Sequence, residues 1–195
     1  MDKQVLDSLT AMLWPVGDGQ ATQQVYWLLD GARDPQIASL VKSGDLDYEC
    51  LFAGELHPRL QAAAPYLVHL KPESPGTALL LNLGWGQAWG VLALAPSEVP
   101  LGQLRLHFKK FLRVRTEDGK ELAFRFYDPR VLTVYLPTCT AAEFTVFLGP
   151  ASRLYAEFDT GQGVRVFRPD ATGIWARDYR LGDAVCRTID SKEVS

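Results

Sequence analysis

Arg125, Asp128 and Arg130 stand close together in the stretch from Glu121 to Leu136, among apolar and aromatic neighbours. Two guanidiniums beside a carboxylate, with His69 or His107 folded near them, could line a polar pocket and bind a small ligand or hydrolyse one. The same residues admit a plainer reading. A buried charge without a partner costs far more than a paired one, and Asp128 is the nearest partner for either arginine. On that reading the three groups fix the angle between two elements, as structural ion pairs do in many folds.

The elements that would position them are legible in the same stretch. Leu122, Phe124 and Phe126 alternate with Ala123, Arg125 and Tyr127, which predicts a strand with these sets on opposite faces. Asp128 suits a helix N-cap and Pro129 the first helical position, where a missing N–H has no partner to lose. The stretch reads as strand, corner, helix. Asp34-Pro35 repeats the device after the dense apolar run Gln24–Asp30, so it is an architectural habit of this chain.

Composition bounds the rest. At 195 residues, 47% of them hydrophobic and 22% charged, the chain has enough apolar material for one good core. A net charge of −3 gives no broad positive field for a nucleic-acid backbone. Cys50, Cys139 and Cys186 are odd in number and lack metal-ligand spacing, so they read as reduced thiols of a cytoplasmic protein. The early Asp2, with no long apolar run after it, argues against a secretory signal. Residues from Ser74 to Ser97 carry no charge, but their glycines and bracketing prolines favour a helix near Thr77–Leu83, a Gly-Trp turn and a strand near Trp89–Leu94 over a stable membrane insertion. Gly84-x-Gly86 lacks the third glycine of a phosphate loop and reads as a tight turn. No nucleophile elbow, metal triad or phosphate loop is present, so no catalytic, cofactor-binding or metal-ligating residue is assigned.

Along the chain, apolar spacing predicts a helix over Val5–Trp14 and another after Asp34-Pro35. Strands are predicted over Gln24–Asp30, Tyr48–Phe52 and Tyr66–Leu70, with a short helix over Glu55–Ala64 interrupted near Pro58. Pro100–Leu112 is the clearest amphipathic helix, followed by a hairpin across Glu117–Lys120. Arg105, His107, Lys109, Lys110, Arg113 and Arg115 form the basic cluster, either a solvated helix face or a patch for an acidic partner. Thr140–Glu143 is a capping box, Gly149-Pro150 a stop, and Leu154–Phe158 with Val164–Phe167 a second hairpin. Trp175 and Tyr179 suggest a docked segment, and Asp190–Ser195 a loose tail. The expected architecture is α/β (α+β), a mixed central sheet flanked by helices. It divides into an N-terminal helix and loop (1–24), a main domain (25–150) and a small C-terminal extension (151–195).

An ordered set of short motifs goes further than any pattern. Tyr26-Trp-Leu-Leu-Asp30-Gly-Ala-Arg33, Leu51-Phe-Ala-Gly54, Ala64-Pro-Tyr-Leu-Val68, Trp89-Gly90, Leu106-His-Phe108 and Phe124-Arg-Phe-Tyr-Asp-Pro-Arg-Val-Leu132 together resemble the effector adaptor or chaperone family of bacterial type VI secretion systems. The resemblance covers roughly Val25 to Pro150. It implies a cytoplasmic protein without enzymatic activity or cofactor, whose partners are a secreted effector and the spike protein VgrG. It singles out Asp30, Arg33, Arg125, Tyr127, Asp128 and Arg130 as motif residues, structural or partner-binding, and makes Tyr26, Trp27, Trp85 and Trp89 either core or interface anchors. The competing expectations are the small-ligand or hydrolytic pocket around Arg125, Asp128 and Arg130, and a structural subunit of the secretion machine.

Overall fold

The computed structural model describes residues 1–15, 23–171 and 173–182, and the backbone of 187–189. The tail expected over Asp190–Ser195, Cys186, and the glycines of the loop after the first helix lie outside the described residues.

The strand Gln23–Asp30 (β1) is buried without interruption from Val25 onward. A strand apolar on both faces must be covered on both, and helices do so here. On one side, Val5, Leu9 and Leu13 of α1 (Lys3–Leu13), Ile37 and Val41 of α2 (Gln36–Ser43) and Leu80 and Leu81 of α4 (Pro75–Gly84) pack with Trp27 and Leu29. On the other, Leu104 and Phe108 of α5 (Leu101–Lys109), Leu132 of α6 (Pro129–Tyr135) and Phe144 and Phe147 of α7 (Ala141–Leu148) pack with Tyr26 and Leu28.

The result is an α+β domain, as the sequence pattern predicts, but its ladders are antiparallel throughout the described residues instead of mixed. Both β3 (Pro65–Leu70) and β4 (Gly90–Pro96) begin where β1 ends, with Asp30 opposite Pro65 and Leu29 opposite Gly90. These two strands are joined by the α4 crossover and run parallel to each other, yet β1 lies between them, so every adjacent pair is antiparallel. β2 (Tyr48–Cys50) pairs with β3 at one edge. Beyond residue 150 the chain continues the same sheet: β7 (Arg153–Phe158) pairs with β4, then come β8 (Gly163–Asp170), β9 (Gly173–Arg180) and β10 (Arg187–Ile189), in the order β10-β9-β8-β7-β4-β1-β3-β2. Trp175 and Tyr179 are therefore strand residues of β9, with Trp175 held between the Arg168 and Arg177 guanidiniums at 4.3 and 5.1 Å.

A separate hairpin, β5 (Arg113–Arg115) and β6 (Glu121–Ala123), turns at Gly119, whose φ of +82° suits glycine. Two expectations are corrected here. Pro58 does not interrupt a helix but starts α3 (Pro58–Ala62), with His57 Nδ1 accepting from the Arg59 amide at 3.3 Å. The strand predicted to run through Tyr127 stops at Ala123. After the Phe124 amide bonds to Leu112 O at 2.9 Å, a turn closed by the Asp128 amide on Arg125 O sends both Phe126 and Tyr127 inward. Phe126 then joins Phe108, Phe111 and Phe147, which compensates for the strand pairing given up.

No helix among the described residues is long and apolar enough to cross a membrane; the uncharged Ser74–Ser97 stretch forms α4, a turn and β4.

Candidate functional site

Three chain segments converge at the end of β1: the turn from Asp30 to Arg33, the turn from Trp85 to Ala88 that feeds β4, and the corner from Arg125 to Arg130. All six motif residues lie on the first and third. The Asp30 side chain is 1% exposed. Its Oδ1 accepts from the Ala32 amide at 3.1 Å, which shapes the turn, and its Oδ2 accepts from Arg125, with Nε at 3.0 Å and Nη2 also in contact. Arg125 thus pairs with a residue far away in sequence, and not with its neighbour Asp128. This is the long-range bond that ties the corner to the central strand.

Asp128 belongs to Arg130. Its Oδ1 accepts from the Arg130 amide at 3.0 Å, as an N-cap does, and from Arg130 Nε at 2.9 Å, while Oδ2 takes Nη2 at 2.5 Å. Burial pushes this carboxyl up, but the Arg130 bonds and charge, helped by Arg125, outweigh it and hold the group below its usual range. Tyr127 is buried between the two pairs, and burial, then the Asp30 charge, pushes its phenol up to about 12. Arg33 reaches across to the second turn, where its Nε donates to Gln87 O at 3.1 Å.

One residue that sequence reasoning passed over completes the cluster. Glu157, on β7, accepts from the Gly86 and Ala88 amides and thereby holds the turn in its left-handed conformation, with φ of +87° at Gly86 and +54° at Ala88. Desolvation lifts its carboxyl to about 7, more than the two amides and Arg33 lower it. The available signal was Glu157 sharing a strand face with Tyr155 in a segment apolar on both sides.

Chemically, the corner is a set of closed pairs. Each buried carboxylate has its donors, and the arginines keep only their outer edges in water, with side chains 44% exposed at Arg125 and 60% at Arg130. The histidines that a pocket would recruit are elsewhere. His69 sits opposite Tyr26, four positions along β1 from Asp30 and hence about 13 Å away along the strand. Its ring packs against that of Tyr26, tilted by 30° with centroids 5.1 Å apart. His107 points into the α5–α7 interface, with Nε2 2.8 Å from Phe147 O, and burial lowers its affinity for a proton. Tyr26, Trp27, Trp85 and Trp89 are all core residues, none more than 4% exposed.

A different surface is open. Behind the β5–β6 hairpin, a groove of about 870 Å³ runs between the 51–56 loop, α3 and the end of α5. Phe52, Leu56, Leu60, Leu112 and Leu122 line it, with Lys109, Lys110 and Arg113 at the rim. Of the basic cluster, only part reaches this rim. Arg105 turns inward, donating to Cys50 O at 2.7 Å and Phe52 O at 3.2 Å.

Among known proteins, a family model described as a domain of unknown function (DUF4123) matches residues 25–145. No curated protein and no solved structure matches the chain. The matched stretch holds β1 from Val25 onward, the Asp30–Arg33 turn, the Arg125–Arg130 corner and the groove, and it is over half of the sequence: the chain belongs to the DUF4123 family.

Proposed function

We propose that this protein is a non-enzymatic adaptor, a chaperone that binds a type VI secretion effector in the cytoplasm and helps load it on the VgrG spike. One observation carries the reading. The charged corner at the centre of the resemblance is internally paired, each carboxylate accepting on both oxygens from groups of the chain itself, while an adjacent groove presents exposed leucines under a basic rim. Closed ion pairs suit a joint that holds a surface in shape, and exposed apolar anchors with a charged rim suit protein recognition. The motifs that resemble the adaptor family all lie inside the stretch matched by the family model; only residues 146–150 of the resemblance fall beyond it.

The test is co-purification. The tagged chain is expressed in its own cellular background with the neighbouring secretion genes, and whatever it retains is identified by mass. Recovery of an effector, with or without the spike, is the expected result. Recovery of neither, together with turnover that R125M abolishes while the fold survives, would replace this reading with an enzymatic one.

A further inference from the structure

We propose that the groove between α3, the 51–56 loop, the end of α5 and the β5–β6 hairpin receives an acidic amphipathic helix of the partner protein. The inference names the partner-facing surface of the adaptor reading and rests on that reading only for the helix's owner. Its grounds are in the groove itself.

The first ground is exposed apolar area gathered in one groove. Leu60 on α3 and Leu122 on β6 are 56% and 50% exposed, and both line one groove. Two such side chains at separate sites would be ordinary; across one cleft they form a contiguous apolar surface that water covers poorly.

The second ground is charge. The chain as a whole is acidic, with a net charge of −3, yet this rim is basic. Glu121 is the acidic group that lines the groove, and Arg113 and Arg115 already hold its carboxylate at 3.2 and 3.7 Å. Lys109 and Lys110 have no ion-pair partner among the described residues, so two ammonium groups face the occupant uncompensated. Glutamates flanking the occupant's apolar stripe would complement them.

The third ground is the backbone. Strand addition needs a row of free N–H and C=O groups at a sheet edge. Along residues 50–52 the Cys50 and Phe52 carbonyls already accept from Arg105, so this stretch offers a partner side-chain packing. A helix laying an apolar face into a groove needs no backbone groups from its host.

The probe is a fluorescein-labelled peptide of about 18 residues, long enough to hold a helix, with leucines at helical spacing on one face and glutamates beside them. Its binding to the full-length protein is followed by anisotropy. Saturable binding is expected, at least tenfold weaker for L60E/L122E and for K109E/K110E, weakened by added salt, and at least tenfold weaker for the same peptide with lysines in place of glutamates. Leu60, Leu122 and Lys110 are exposed and Lys109 is half-buried, and circular dichroism checks that both variants fold. Absence of saturable binding, equal affinity for the acidic and basic peptides, or indifference to L60E/L122E would overturn the proposal. The L60E/L122E variant in the co-purification separates the two readings. If it retains the effector as well as the native chain does, the groove assignment falls and the adaptor reading stands. If the native chain recovers no effector, the adaptor reading falls and the peptide titration still decides the groove.

Discussion

Replacing Arg125 with Met keeps most of the side chain's bulk and removes its charge, which leaves Asp30 buried with only the Ala32 amide as donor. Removing one partner of a fully buried ion pair costs about 3–5 kcal/mol. The Arg125 side chain is 44% exposed, so water can approach the vacated position and screen the carboxylate; about 2 kcal/mol is the better expectation. For a chain of this length that corresponds to a fall in Tm of about 4–8 °C. Urea unfolding should show the midpoint move at constant slope. Two companions sharpen the result. R130M should cost about 1 kcal/mol or less, because Arg130 is 60% exposed and Asp128 keeps the Arg130 amide as its cap partner. D30N/R125M should be less destabilised than the sum of its single changes, since the asparagine no longer buries a charge. If R125M costs under about 0.5 kcal/mol, or no more than R130M, the long-range pair is a surface contact and the joint argued here does not exist.

Other consequences can be measured alongside. Glu157 is lifted from its ordinary value of 4.5 to about 7, so the folded state binds its proton more tightly than the unfolded chain does. The resulting stabilisation is complete below about pH 4.5 and is lost as pH rises to about 7, a span of about 3 kcal/mol. His69 and His107, both lowered by burial, act in the opposite sense, losing stability as pH falls below about 6.5. The quantity to measure is therefore the difference between native protein and E157Q, which should change with pH across that window; a difference that stays flat would contradict the burial argument. G149A places a methyl group in the His107 ring at a φ of +58°, and should cost at least about 1–3 kcal/mol in urea unfolding while loosening the bond to Phe147 O. T140A removes one half of the capping box of α7 and should cost about 1 kcal/mol, read as a lower thermal midpoint. L60E/L122E, on the exposed walls of the groove, should stay within about 0.5 kcal/mol of the native stability by the same measure.

What the sequence made legible was mostly local. Asp128-Pro129 starts α6 and Thr140–Glu143 caps α7 because a cap is decided by residues two or three apart. The apolar run of β1 announced a strand covered on both faces, and Asp30 and Arg125, motif residues from two distant stretches, meet at one end of it. What failed was the pairing. Proximity in sequence suggested Asp128 for Arg125, but a guanidinium reaches several ångströms and the fold brings Asp30 within 3.0 Å of it. Glu157 was missed for the same reason, since its partners are amides of a turn some seventy residues earlier. The end of β6 at Ala123 was hidden because alternation continues through Tyr127, and only the aromatic cluster around Phe126 breaks it. The groove's apolar lining had no local signature: it comes from four separate segments, and only Lys109, Lys110 and Arg113 at its rim were visible as part of a cluster.

The adaptor reading is tested most directly by co-purification of the native chain and L60E/L122E from cells expressing the neighbouring secretion genes. The expected result is an effector retained by the native chain and lost from the variant, with both proteins folded. Recovery of neither an effector nor a spike protein with the native chain would contradict it.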